Sequence, residues 1–208
     1  MHKVIFSFSF ILLHCQPRIY SNVGNNNTEE NNEYSFAEYV KKNPQIKTAK
    51  TGNSSGNDCR FPLSKDPDEN FTEEPRSFGA YRSGGRLHAG CDLMSPDGTP
   101  IYAVCDGEIL DFYYFYDDTY ALEVKHNNFV VRYGELSASS PVKAGQRVKK
   151  GDLIGHVGYL VSLGLSMLHF EIYTGKATGL LSASGNDYSR RSDLTDCTPY
   201  LKKWIAFK

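Results

Sequence analysis

The clearest pattern in the chain runs from Thr119 to His126, where Tyr120, Leu122, Val124 and His126 alternate with Glu123 and Lys125. A period of two puts these sets on opposite faces of a strand. Asn127-Asn128 marks a turn, and Phe129 to Tyr133 returns as the next strand. Upstream, Pro100 to Cys105 and Glu108 to Tyr116 read as strands on either side of a tight turn at Asp106-Gly107. The second carries an aromatic run from Phe112 to Tyr116, which reads as sheet face and core. Between Val142 and Gly155 the rhythm Gly-x-x-Val-x-x-Gly suits tight turns joining short strands, and His156 follows in another. Leu168 to Tyr173 is a further strand. No helix long enough for a parallel crossover is predicted, so the sheet is expected to be antiparallel and the domain all-β and compact. There is no internal repeat.

The N-terminal part has a different texture. Lys3 precedes a short apolar run, Val4 to Leu13, too short to cross a bilayer; residues 1–21 read as a secretory signal peptide, which implies a secreted, extracellular protein. Residues 22–57 are rich in Asn, Glu, Ser and Gly and read as a disordered leader. Within it, Phe36 to Lys42 suits a short helix, capped by Ser35 and ended by Pro44. The all-β domain is expected over residues 58–208. A length of 208 residues suits one domain with a tail, and a net charge of −1 gives no support for nucleic-acid binding or polybasic membrane attachment. No transmembrane segment is predicted, and the protein is expected to be a monomer.

Loss of Cys15 with the signal leaves Cys59, Cys91, Cys105 and Cys197. An even number in a secreted chain favours two disulfides. Three pairings are possible. A hairpin turn at Ser95-Pro-Asp-Gly-Thr99 favours Cys91–Cys105, leaving Cys59–Cys197 to tie the ends of the domain. Asn-x-Ser/Thr sequons at Asn26, Asn53 and Asn70 are candidate glycosylation sites.

Two short stretches carry candidate chemistry. Arg86 to Asp92 offers His88 and Asp92, and Met167 to Glu171 offers His169. Two His and one Asp are a common ligand set for a catalytic zinc ion with an open fourth position. On a straight strand His88 and Asp92 would lie roughly 13 Å apart, too far for one metal. A bend near Gly90 is therefore expected, with His88 ahead of a strand, Asp92 inside it and His169 on a different strand. His126 and His156 read as structural or solvated.

The ordered set Gly85-Arg-Leu-His-Ala-Gly-Cys-Asp-Leu93, Pro96 to Val104, Asp106-Gly107, Val142 to Gly151 and Leu168-His-Phe-Glu171 resembles the lysostaphin-type zinc endopeptidases, which cut peptide bonds in bacterial peptidoglycan. The resemblance implies a compact antiparallel β domain with a groove over the sheet. It implies zinc held by His88, Asp92 and His169, and peptidoglycan peptide stems or cross-bridges as partners. Two positions depart from the family. Met167 stands where the first His of His-x-His is usual, and Glu135 stands in the His place of a Tyr-x-His-Leu segment. A carboxylate can serve as general base to an activated water, as in the His-Glu-x-x-His proteases, which makes Glu135 the candidate catalytic residue. Met167 cannot donate a hydrogen bond, so Tyr113, Tyr133 or Tyr173 is expected to replace that donor. The alternative is a zinc-holding pseudoenzyme acting as a secreted recognition module, on the pattern of the leukocyte cell-derived chemotaxin, a non-catalytic relative.

Overall fold

The computed structural model describes residues 59–206. The expected signal peptide and leader, the helix at Phe36–Lys42, and Asn26 and Asn53 lie outside them. Ten strands follow in order: β1 (Cys91–Met94), β2 (Pro100–Tyr102), β3 (Gly107–Tyr116), β4 (Thr119–His126), β5 (Val130–Leu136), β6 (Arg147–Val148), β7 (Leu153–His156), β8 (Gly158–Leu160), β9 (Leu165–Tyr173) and β10 (Leu194–Thr195). A helix, α1 (Thr198–Ile205), closes the described chain.

All the strand pairs are antiparallel, as expected. The main sheet runs β1-β9-β5-β4-β3-β6, with β8 and β10 also paired to β9, and β2 and β7 form a small second sheet. The β3–β4 hairpin turns through Asp117 and Asp118, at φ 49° and 59°. Two successive positive φ values match the right-handed twist of the strands they join. Asp117 also accepts hydrogen bonds from the backbone N–H and hydroxyl of Ser162, fastening this turn to the β8–β9 connection.

Alternation decides what each strand buries. Leu168, Phe170 and Ile172 of β9 join Leu122 and Val124 of β4 and Val131 and Tyr133 of β5 in one apolar cluster. Ile101 and Ile154 from the small sheet and Leu201 and Trp204 from α1 complete it. Trp204 meets Phe170 edge to face, with ring centroids 6.2 Å apart. The opposite face of β9 presents Met167, His169, Glu171 and Tyr173, all buried.

Two expectations are corrected. β1 pairs with β9 and β2 with β7, so the stretch at Ser95–Thr99 does not make a hairpin of β1 and β2. Cys105 is accordingly bonded to Cys59, with Cα atoms 4.8 Å apart, and the pairings Cys91–Cys105 and Cys59–Cys197 do not form. Helix α1 was not expected at all. Its signals are Pro199 in the first turn and an apolar pair, Leu201 and Trp204, three residues apart.

Candidate metal centre

β1 and β9 place two of the three expected ligands directly opposite each other. Asp92 and His169 are cross-strand partners in their register. Glycines make room around them. A Cβ on Gly90 would lie 2.4 Å from the carbonyl oxygen of Phe170 and 3.0 Å from the ring of His169. Only glycine allows that approach, and the chain bends there, bringing His88 back over the strand. On the other flank of β9, His169 pairs with Gly134, where a Cβ would lie 3.3 Å from the Cβ of His169 and 3.4 Å from its ring.

Three atoms converge. His88 Nε2 lies 3.1 Å from His169 Nδ1 and 3.0 Å from Asp92 Oδ1, and His169 Nδ1 lies 2.8 Å from that same oxygen. The outer nitrogens fix which ring atoms face inward. His88 Nδ1 donates to the carbonyl of Ser77 at 2.8 Å, which leaves a lone pair on Nε2. His169 Nε2 donates to Glu171 Oε1 at 2.9 Å, which leaves Nδ1 as the inward atom. Burial favours the uncharged carboxyl of Glu171, but Arg190, Arg132 and His169 hold it well below the usual carboxylate range, so it is an acceptor. Two imidazole nitrogens and a carboxylate oxygen facing one point fit a cation. Tetrahedral zinc, with bonds of about 2.0–2.1 Å, would set its ligands about 3.3 Å apart. The electrostatics agree: burial works against a charge on His169, yet hydrogen bonds to Asp92 and Glu171 push its pKa up to about 10, so the pocket favours positive charge at that point. Burial keeps His88 below its ordinary value and therefore in the neutral form that ligates.

Around this triad lies a buried polar shell that the sequence did not single out. Arg82 donates to Asp92 Oδ2 at 3.0 Å and to the carbonyl of Pro75 at 2.7 Å, leaving Oδ1 for the triad. Glu171 accepts from His169, Arg132, Arg190 and Tyr173. A carboxylate behind a ligand histidine orients the ring and raises its basicity. Here two guanidinium groups and a phenol hold the carboxylate in turn.

Glu135 stands beside the triad for a local reason. Tyr133 and Leu136 both point into the core although they are three residues apart, so β5 must absorb an extra residue between them. Its register against β4 slips there, and Glu135 takes φ 64°. Such a bulge re-aims a side chain. Tyr116 donates a hydrogen bond to Glu135 Oε1 at 2.6 Å, while Oε2 is buried with no hydrogen-bond partner. Burial, then the charge of Asp92, raise the Glu135 pKa to about 7. Arg132, three residues before Glu135, is engaged by Glu123 and Glu171.

None of the three expected donor tyrosines faces the triad. Tyr133 lies in the core, where its hydroxyl accepts from the backbone N–H of Val104 and contacts His126 Nε2, Tyr113 donates to Glu123, and Tyr173 donates to Glu171. Tyr116 is the phenol that reaches Glu135, and burial and the Glu135 charge keep its hydroxyl protonated. Met167 shares the face of His169 and is buried. His126 is structural, its Nδ1 3.1 Å from the carbonyl of Asp106. Asn70 is exposed, and its Oδ1 accepts from the N–H and hydroxyl of Thr72 within the sequon.

Comparison with known proteins agrees with this picture. Residues 86–179 match peptidase family M23. The chain is 33% identical over 98 residues to the peptidoglycan DD-endopeptidase ShyC of Vibrio cholerae, covering 47% of this chain and 22% of that protein. It is 35% identical over 107 residues to the cell division protein DipM of Caulobacter vibrioides, covering 46% of this chain and 16% of that one. The chain thus spans less than a quarter of the length of either. The antimicrobial peptidase lysostaphin from Staphylococcus simulans superposes with a TM-score of 0.50 at 26% identity, over 64% of this chain and 50% of that structure. Residues 86–179 of the described domain thus carry the match to peptidase family M23, and the ordered motifs and antiparallel sheet around them are similar to those of the lysostaphin-type peptidases.

Proposed function

We propose that the domain is a secreted, zinc-dependent endopeptidase that hydrolyses peptide bonds in the stems or cross-bridges of bacterial peptidoglycan. His88, Asp92 and His169 hold the metal, and Glu135 is the general base. The observation that carries this reading is the buried, unpartnered Oε2 of Glu135 beside three convergent ligand atoms. The names of the V. cholerae relative and of lysostaphin support the substrate class. The short apolar N-terminal run and the Cys59–Cys105 bond support an extracellular setting.

A zinc ion held by the triad would supply Lewis acidity to activate water and polarise the scissile carbonyl. The chain's own groups do the rest. Glu135 has a pKa near neutrality, the range in which a group both takes and returns a proton efficiently. It accepts the water proton at Oε2, Tyr116 holds Oε1 in place, and the proton then passes to the leaving amine. Arg82 keeps Asp92 Oδ2 occupied and Glu171 keeps His169 Nε2 protonated, so the two ligands present single, fixed atoms.

Metal analysis of the purified protein together with muropeptide digestion tests this directly. About one zinc per chain is expected, lost in His169→Ala. Glu135→Gln should keep its zinc while turnover falls by ~10²–10⁴. Met167 supports a second reading, because it puts an apolar group on the ligand face where the family keeps a proton-transferring His. A folded, fully zinc-loaded wild-type protein that cuts no peptidoglycan would end the enzyme reading and leave a zinc-holding recognition module. Faster turnover in Met167→His would instead show an enzyme limited by the missing donor.

A further inference from the structure

We propose that Cys91 and Cys197 are a second disulfide site, joining the strand that carries Asp92 to the start of helix α1. Among the described residues these are the two cysteines left after Cys59 and Cys105 have paired, and both are fully buried. They occupy one spot from opposite sides. Cys91 faces Phe170 across the β1–β9 ladder, and Cys197 Sγ donates to the carbonyl of that same Phe170 at 3.3 Å. In return, Cys91 Sγ lies 3.4 Å from the hydroxyl of Thr198, the residue next to Cys197. The two thiols also lie within electrostatic reach of each other. No His, Asp or Glu joins them in a metal-holding group; the one such group among the described residues is the triad.

The chemistry is thiol–disulfide exchange with a disulfide-bearing oxidant, either a small disulfide such as oxidised glutathione or an oxidoreductase of the secretory route. One cysteine thiolate attacks the oxidant's S–S bond and expels a thiol, giving a mixed disulfide. The second thiolate attacks that mixed disulfide on the protein sulfur and expels the other half of the oxidant. Two protein thiols are oxidised, one oxidant disulfide is reduced to two thiols, and the two protons go with them. Since neither sulfur is exposed in the folded domain, the bond closes as α1 docks, while the pair is still open to the oxidant. The loop it closes contains every strand from β2 to β10 and the ligand His169, with Asp92 next to its first anchor.

The full chain, reduced and unfolded, is refolded in a glutathione redox buffer, and the soluble monomer is alkylated and mapped as non-reduced peptides. The Cys91 and Cys197 peptides should be recovered linked, two hydrogens lighter than their sum. Recovery of both as alkylated thiols alongside an intact Cys59–Cys105 bond overturns the proposal, and so does a mapped Cys59–Cys197 bond. A Cys59→Ser/Cys105→Ser variant isolates the effect. Its urea midpoint should drop when reductant is added, and an unchanged midpoint with free thiols in both samples counts against the second bond.

Discussion

At the scale of single residues, Glu171 carries more of the centre than its place in a strand suggests. It accepts from His169, Arg132, Arg190 and Tyr173, and is itself fully buried. Truncating it removes the carboxylate, leaves the half-buried Arg190 without its ion-pair partner and leaves the buried Arg132 with Glu123 alone. Breaking a buried ion pair from one side typically costs about 3–5 kcal/mol. Glu171→Ala should lose stability on that order in urea unfolding. Its zinc affinity should fall by ~10–100-fold in chelator competition, because the ring of His169 loses its outer partner. The convergent triad itself was legible in the sequence, since two imidazoles and a carboxylate in family order limit the choice to His88, Asp92 and His169, and these are the groups that meet. Their supports were not. Arg190 arrives from a connection with no periodic signal, Arg82 from the irregular segment before β1, and Tyr116 was hidden by the aromatic run it ends.

Among elements, the site depends on one close strand approach and one irregularity. Gly90 lets β1 lie against β9 so that Asp92 falls opposite His169. In Gly90→Ala the new methyl meets the Phe170 carbonyl, which is backbone and cannot swing away. The strands must part at the ligand pair. A loss of at least about 2 kcal/mol is expected, with zinc content falling in parallel; a variant with normal melting and full zinc would show that the approach is not required. The bend at Gly90 could be argued beforehand, because two ligands four residues apart cannot meet on a straight strand. The bulge at Glu135 could not. Its cause is the pair Tyr133 and Leu136, whose shared burial appears only once β4 and β9 flank β5. The Ser95–Thr99 stretch misled for a similar reason: turn residues announce a reversal but not the partner of the strand that follows, and here β9 and β7 outcompete the local hairpin.

The molecule as a whole carries a pH signature that does not involve the triad. His126 is buried, and burial lowers its pKa from the ordinary 6.5 to about 4. The unfolded chain therefore binds a proton at this site that the folded chain refuses. That contribution is complete above the unfolded pKa and is lost as pH falls from 6.5 towards 4, by up to about 3 kcal/mol. Glu135, whose burial raises its pKa to about 7, acts in the opposite sense over the same range, so the signature is a difference: the urea midpoint should fall more between pH 6.5 and 4 in the wild type than in a His126 variant that keeps the fold but cannot titrate. The same pH dependence in both proteins would mean that the ring stays solvated in the native state.

Strand β9 has neighbours on both edges around His169, from Met167 to Tyr173: β8 and then β5 on one side, β1 and then β10 on the other. The backbone under His169 is thus tied down by the sheet rather than by anything its side chain holds. A domain of this kind has no folding debt to settle when an ion arrives, unlike the small zinc modules that are unfolded without metal. Emptied and loaded forms should share one backbone, so that the metal can be stripped and returned, or exchanged for another divalent ion, without the chain passing through an unfolded state.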